Sequence, residues 1–200
     1  MDEPKRSKMT RQLQIYYQLI FSKIIGPNDF MNNFCITRRM LQRDLKDLRD
    51  CGLINVKYDR ASDNYVIAGN AIFDNTAGER RRQHLIRLYR IGTLIQQLSK
   101  TGSEELRLYE SALEDYDFAV QESLDDPITN PPEDIPNKPE PLNLPDIKAE
   151  YYALFPNSNE RTRQRDFEEM NRAGCNIYYS RKYKAFIFEY DEYSGSAMTI

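Results

Sequence analysis

The chain contains one passage twice. Thr37-Arg38-Arg39-Met40-Leu41-Gln42-Arg43-Asp44-Leu45-Lys46-Asp47-Leu48 recurs as Asn159-Glu160-Arg161-Thr162-Arg163-Gln164-Arg165-Asp166-Phe167-Glu168-Glu169-Met170, at a constant offset of 122 residues. Gly52 maps onto Gly174 at that offset, and alternating β-branched or aromatic runs follow both glycines. A shared Gln-Arg-Asp tripeptide arises easily by chance. The longer pattern Arg-x-x-Gln-Arg-Asp-apolar-x-x-apolar-x-x-x-Gly, with a hairpin signal behind it, does not. A passage repeated at this length is a supersecondary unit used twice.

The first copy has a complete setting. Met9 to Ile25 carries Leu13, Tyr16, Tyr17, Leu19, Ile20 and Ile24 at near-helical spacing, and Gly26-Pro27 is expected to end that helix. Asn28 to Asn33 reads as a short helix with Phe30 and Met31. Thr37 is placed to cap a third helix, Arg38 to Cys51, whose Leu41, Leu45 and Leu48 form one stripe. Gly52 closes it, and Leu53–Tyr58 and Asn64–Ile67 pair as a hairpin across a polar turn. The second copy follows a helix over Ile147–Phe155 and a turn at Pro156-Asn157-Ser158. Asn159 then caps a helix from Glu160 to Ala173, and a hairpin runs through residues 176–179 and 184–188. After Glu189 the tail reads as frayed. Only one helix precedes the turn here where two are expected, and Glu104 to Ser123 is a source for the missing one. Arg163 stands where the first copy has Leu41.

Two helices and a linker separate the copies. Gly78 to Lys100 carries Leu85, Leu88, Ile91, Ile95 and Leu98. That stripe fits a core helix or, equally, a homodimer interface along Leu88, Ile91, Ile95 and Leu98. Ser103 caps the next helix, which is strongly acidic and faces a basic one holding Arg80, Arg81, Arg82, Arg87 and Arg90. An antiparallel hairpin with complementary charge is the expected pairing. Asp125 to Pro145 holds seven of the ten prolines and reads as an extended linker able to span about 65 Å. The expected organisation is therefore an N-terminal unit over 1–75, a helical connector over 76–124, the linker over 125–145, and a second unit over 146–200. The class is mainly α with small β-hairpins.

Charge sharpens this division. The net charge of −3 hides values of +8 for residues 1–100, −10 for 101–144 and −1 for 145–200. A polyanion meets a local face rather than the average, so a pI near 5.4 does not exclude nucleic acid. No apolar run approaches the ~18 residues of a membrane span, and the N-terminus lacks the apolar core of a secretory signal. A membrane partner is not expected. Three scattered cysteines, Cys35, Cys51 and Cys175, argue for a reducing, cytoplasmic compartment. With the lone His84 they make no four-ligand metal site. No phosphate loop, nucleophile elbow or zinc-protease motif is present, so neither a cofactor nor enzyme activity is expected.

Thr37 to Leu48, with its glycine and hairpin, resembles the recognition helix of DeoR-type winged helix-turn-helix regulators. It is also similar to the N-terminal DNA-binding unit of WYL-domain transcriptional regulators, which read Ser-x-Arg-Thr-Ile-x-Arg-Asp-Leu before a glycine and a wing. Thr37, Met40 and Leu41 stand for the Ser, Thr and Ile of that pattern. The likeness covers residues 8–70 well and 146–190 in part; no WYL-like sensing domain is evident. It implies an N-terminal winged helix, a helical connector and a second, reduced winged-helix-like unit.

With the leucine stripe against the core, a 100° step puts Arg39, Arg43 and Lys46 on the opposite face, with Thr37, Arg38 and Gln42 beside them. Arginine can pair with guanine and glutamine with adenine in the major groove. Lys57 and Arg60 of the hairpin would neutralise phosphates. In the second copy Arg161, Thr162 and Arg165 are the corresponding candidates, although Glu160, Glu168 and Glu169 dilute them, as Asp47 and Asp50 dilute the first face. The expected function is sequence-specific binding of double-stranded DNA in transcriptional regulation. The alternative is a protein–protein interaction module with a vestigial DNA face.

Overall fold

The structure, a computed structural model, describes residues 7–21, 26–69, 71–99, 103–125, 132, 135–142 and 144–189. Among them are α1 (Lys8–Phe21), α2 (Pro27–Phe34), α3 (Arg38–Asp50), β1 (Val56–Asp59), β2 (Asn64–Ile67), α4 (Glu79–Leu98), α5 (Ser103–Asp125), α6 (Ile147–Leu154), α7 (Glu160–Arg172), β3 (Asn176–Ser180) and β4 (Ala185–Glu189). The protein is mainly helical, with two separate antiparallel hairpins, β1–β2 and β3–β4. No described helix is long and apolar enough to cross a membrane.

The first unit runs α1-α2-α3-β1-β2. Gly26 and Pro27 start a helix: Pro27 occupies the first position of α2, where its missing N–H costs nothing. The Gly26 N–H instead donates to Asp29 (3.1 Å). Residues 22–25, the expected end of the first helix, lie outside the described residues. Thr37 caps α3 by accepting the Met40 N–H. Leu41 and Leu48 are fully buried, while Leu45 is half-buried against the same core. Gly52 closes the helix at φ +83°, a conformation that favours glycine. Leu53 and Ile54 turn their N–H groups back to the Leu48 carbonyl, so the first strand begins at Val56 rather than at Leu53.

The second unit repeats these details. Asn159 caps α7 through the Thr162 N–H, and Gly174 lies at φ +88°. Phe167 and Met170 are buried where Leu45 and Leu48 stand in the first copy. Arg163, at the position of Leu41, is also buried. Its guanidinium stacks 4.8 Å from the Phe167 ring and 4.9 Å from Phe186 and pairs with Glu160. The arginine thus fills a core position by covering aromatic faces while Glu160 neutralises it.

The missing helix of this unit is α4, not the Glu104–Ser123 segment. α4 donates Arg87 and Arg90 to Asp166 and Glu169 of α7, as α1 donates Lys8 and Arg11 to Asp47 and Asp44 of α3. A shift of 79 residues superimposes six of the eight buried positions of α1 on buried positions of α4: Met9, Gln12, Leu13, Ile15, Tyr16 and Leu19 fall on Leu88, Ile91, Gly92, Leu94, Ile95 and Leu98. α5 and the linker are therefore an insertion between α4 and α6. Arg81, Arg87 and Arg90 of α4 accordingly meet carboxylates of α3 and α7, where the acidic face of α5 was expected. The described acidic contact of α5 is with the second hairpin's turn, where Glu110 accepts from the Tyr183 hydroxyl and lies near Lys182.

Leu88, Ile91, Ile95 and Leu98 are at most 1% exposed. They belong to one continuous core within the chain, in which α4 packs on α1, α3, α6 and α7. An external partner on this stripe would require the core to open. Of the Pro-rich linker, residues 135–142 and 144–146 carry no helix or strand; the remainder of 126–145, apart from Pro132, and the tail from 190 lie outside the described residues.

Candidate nucleic-acid interface

The face of α3 turned away from the core is cationic for a reason that helix periodicity alone does not reveal: its three aspartates are drawn inward. Asp44 is 1% exposed and accepts from Arg11 Nε (2.7 Å), Arg11 Nη2 (3.3 Å) and Gln12 Nε2 (3.0 Å). Asp47 pairs with Lys8 (2.6 Å) and Arg81 (3.0 Å) and accepts from Gln12 (3.0 Å). Burial alone would raise the Asp47 pKa, but the Lys8 and Arg81 cations hold it below the ordinary carboxylate range. Asp50 takes a second hydrogen bond from Arg81 (2.6 Å). The expectation that Asp47 and Asp50 dilute the face is overturned, since cations of α1 and α4 neutralise them from behind.

What remains outside is Arg38, Arg39, Gln42, Arg43 and Lys46, all exposed. Among the described residues none of these four cations has a carboxylate within ion-pair distance. Thr37 is exposed at the helix N-terminus. Lys57 is exposed on β1 and Arg60 in the turn that follows, with Asp59 held by Ser62 and the Ala61 N–H rather than by Arg60. Arg38 lies close enough to Tyr58 and Tyr65 to act on them electrostatically, which joins the helix start to the hairpin. The sequence-derived residues of the first unit are thus gathered on α3 and the adjoining hairpin.

On α7 the pattern is reduced. Arg161 and Arg165 are exposed, and Arg87, Arg165 and Arg172 rim an open cleft of about 340 Å³. Glu169 is buried, accepting from Thr10 of α1 (2.6 Å) and from Ser7 just before it (2.9 Å), so it does not oppose them as expected. Glu168 is exposed at the position of Lys46 and lies 3.6 Å from Arg172 of the same helix. Thr162 is half-buried, and its hydroxyl donates to Asn159 within the cap (2.9 Å). Its structural engagement makes it a weaker candidate than its spacing suggests. Gln164, exposed beside Arg161 and Arg165, was not among the expected residues. Its equivalence to Gln42 in the repeat is the signal that marks it.

Comparison with known proteins gives no match to a protein family, a curated protein or a solved structure.

Proposed function

We propose that the protein binds double-stranded DNA in a sequence-specific manner and regulates transcription, with the first unit acting as a winged helix and α3 as its recognition helix. The observation that carries this reading is the separation of charge across α3. Three carboxylates are neutralised on its inner side, while Arg39, Arg43 and Lys46 stand outside with no carboxylate within ion-pair distance among the described residues. Holding cations free beside inward carboxylates suits a polyanionic partner.

The proposed roles follow from reach and chemistry. Arg39, Gln42 and Arg43 lie on the first turns of α3, the part of a recognition helix that meets base edges. Their donors match guanine and adenine edges. Lys46, Lys57, Arg60 and Arg38 contact phosphates, with the hairpin turn as the wing and Thr37 at the helix end.

Binding of the full chain to random-sequence duplex, titrated across salt concentrations, tests the reading. Phosphate neutralisation gives log K falling linearly with log salt, by about 0.9 for each phosphate contacted. A steep fall with several contacts is expected. Salt-independent binding, or none at low salt, contradicts DNA binding and leaves the helices as a protein-interaction surface.

A further inference from the structure

We infer that one chain carries both halves of a two-fold DNA reader and engages an inverted repeat as a monomer; this rests on the DNA reading above. With α4 as the counterpart of α1 and α7 as that of α3, the contacts between the units become reciprocal. α1 packs on α4, α1 packs on α7, and α4 packs on α3. Reciprocity of this kind belongs to an isologous, two-fold pairing. Two units related by translation would make one-sided contacts instead.

The direction of the axis follows from named contacts. Gln12 meets His84 (2.8 Å), and farther along, Tyr16 and Ile20 share a cleft with Gln96. Contact partners therefore ascend together, so α1 and α4 run parallel and the relating axis lies along them. α3 touches the N-terminal part of this pair at Lys8, Arg11, Gln12 and Arg81. α7 touches the start of α1 at Thr10, with Ser7 just before it, and the middle of α4 at Arg87 and Arg90. Both helices flank the same end of the axis. The seam that an ordinary dimer would build between chains is made here by α1 against α4 within one chain, with Leu88, Ile91, Ile95 and Leu98 of α4 buried in the shared core.

The exposed residues carry the second half of the argument. Across the repeat the core has diverged: Leu41 to Arg163, Leu45 to Phe167, Leu48 to Met170 and Cys51 to Ala173. The exposed set Arg39, Gln42 and Arg43 is matched by the identical and likewise exposed Arg161, Gln164 and Arg165, with Gln164 Nε2 donating to Glu160 (3.3 Å). Packing does not require this identity, because these side chains lie outside the core; a shared external partner with two equivalent halves does. An inverted repeat in duplex DNA is such a partner, its halves related by a two-fold axis as these faces are. The halves differ in strength. Lys46 becomes Glu168, and the second hairpin's turn is engaged by Glu110 of α5, whereas Lys57 and Arg60 of the first have no ion-pair partner among the described residues.

The test recovers duplexes bound by the full chain from a random-sequence pool and weighs the complex by sedimentation. The expected result is an enriched inverted repeat, its half-site centres about one helical turn of ~34 Å or a multiple apart, with one chain per duplex. Arg43→Ala is expected to weaken binding about tenfold and erase base preference in one half. Arg165→Ala is expected to act on the other half, by a smaller factor. A direct repeat, a single half-site indifferent to Arg165→Ala, or two chains per duplex overturns this inference and leaves the DNA reading standing. Failure to retain any duplex at low salt overturns both.

Discussion

Asp44 and Asp166 occupy the same position of the repeat, and each is gripped by an arginine of a parallel helix pair. Arg11 holds Asp44 through Nε and Nη2 (2.7 and 3.3 Å), and Arg90 holds Asp166 through the same two atoms (2.5 and 3.1 Å). Asp166 also accepts from the Tyr151 hydroxyl (2.8 Å) and is fully buried. Removing one member of a buried pair leaves an uncompensated charge, which costs about 3–5 kcal/mol. Asp166→Ala is expected to lose that much stability in denaturant unfolding, and Asp44→Ala nearly as much. A loss below about 1 kcal/mol would mean these carboxylates are not the clamps of the two units.

Leu45 and Leu48 separate on burial. Leu48 is fully buried, so Leu48→Ala is expected to cost roughly 2–5 kcal/mol. Leu45 is only half-buried, and Leu45→Ala is expected to cost about half as much, because less apolar surface leaves water there. Equal losses in urea titrations would place Leu45 as deep in the core as Leu48.

Gly92 lets Leu53 lie flat on α4. A methyl group there would stand 2.3 Å from Leu53 Cδ1, closer than carbon atoms tolerate. Gly92→Ala is expected to destabilise by about 1–3 kcal/mol, as overpacked cores do. Adding Leu53→Ala is expected to restore part of the loss, a coupling that a double-mutant cycle reads directly. Strict additivity of the two changes would show that they do not touch.

His84 makes the seam sensitive to acid. Burial lowers its pKa first, Lys8 and Arg87 lower it further, and Asp47 and Asp44 oppose them. Gln12 spends its amide N–H groups on Asp44 and Asp47, so the His84 ring donates Nε2–H to the Gln12 carbonyl oxygen. A depressed folded pKa gives stability that is present above the unfolded value of 6.5 and lost as pH falls through the folded value. The melting midpoint is expected to drop below about pH 6.5, and more steeply than in His84→Gln. Parallel pH profiles of the two proteins would show that His84 does not titrate in this window.

Much of the first unit was legible because its signals are local. Thr37 and Asn159 cap as their side chains require, the leucine spacing marks one buried stripe, and Gly52 and Gly174 take the left-handed conformation. The second unit was harder to see because its first helix comes from α4, ahead of an inserted helix and linker. The repeat offset changes there from 122 to 79, and no single shift aligns both parts. The charge of the α3 face was hidden for a related reason. Asp47 and Asp50 sit among cations in sequence, while the groups that neutralise them, Lys8 and Arg81, come from α1 and α4. Helical periodicity locates a side chain on its own helix but does not identify partners supplied by another.

The most direct measurement compares the full chain with Arg39→Ala/Arg43→Ala for binding to the best duplex recovered from the random-sequence pool, across a range of salt. Both arginines are exposed and have no ion-pair partner among the described residues, so the variant is expected to keep its melting midpoint. A base-reading arginine is worth about 1–3 kcal/mol, and each phosphate that is no longer neutralised flattens the salt slope by about 1. The account predicts binding weakened to that degree or more, with preference for the selected site diminished. Unchanged affinity and slope at low salt would contradict α3 as the helix that reads DNA.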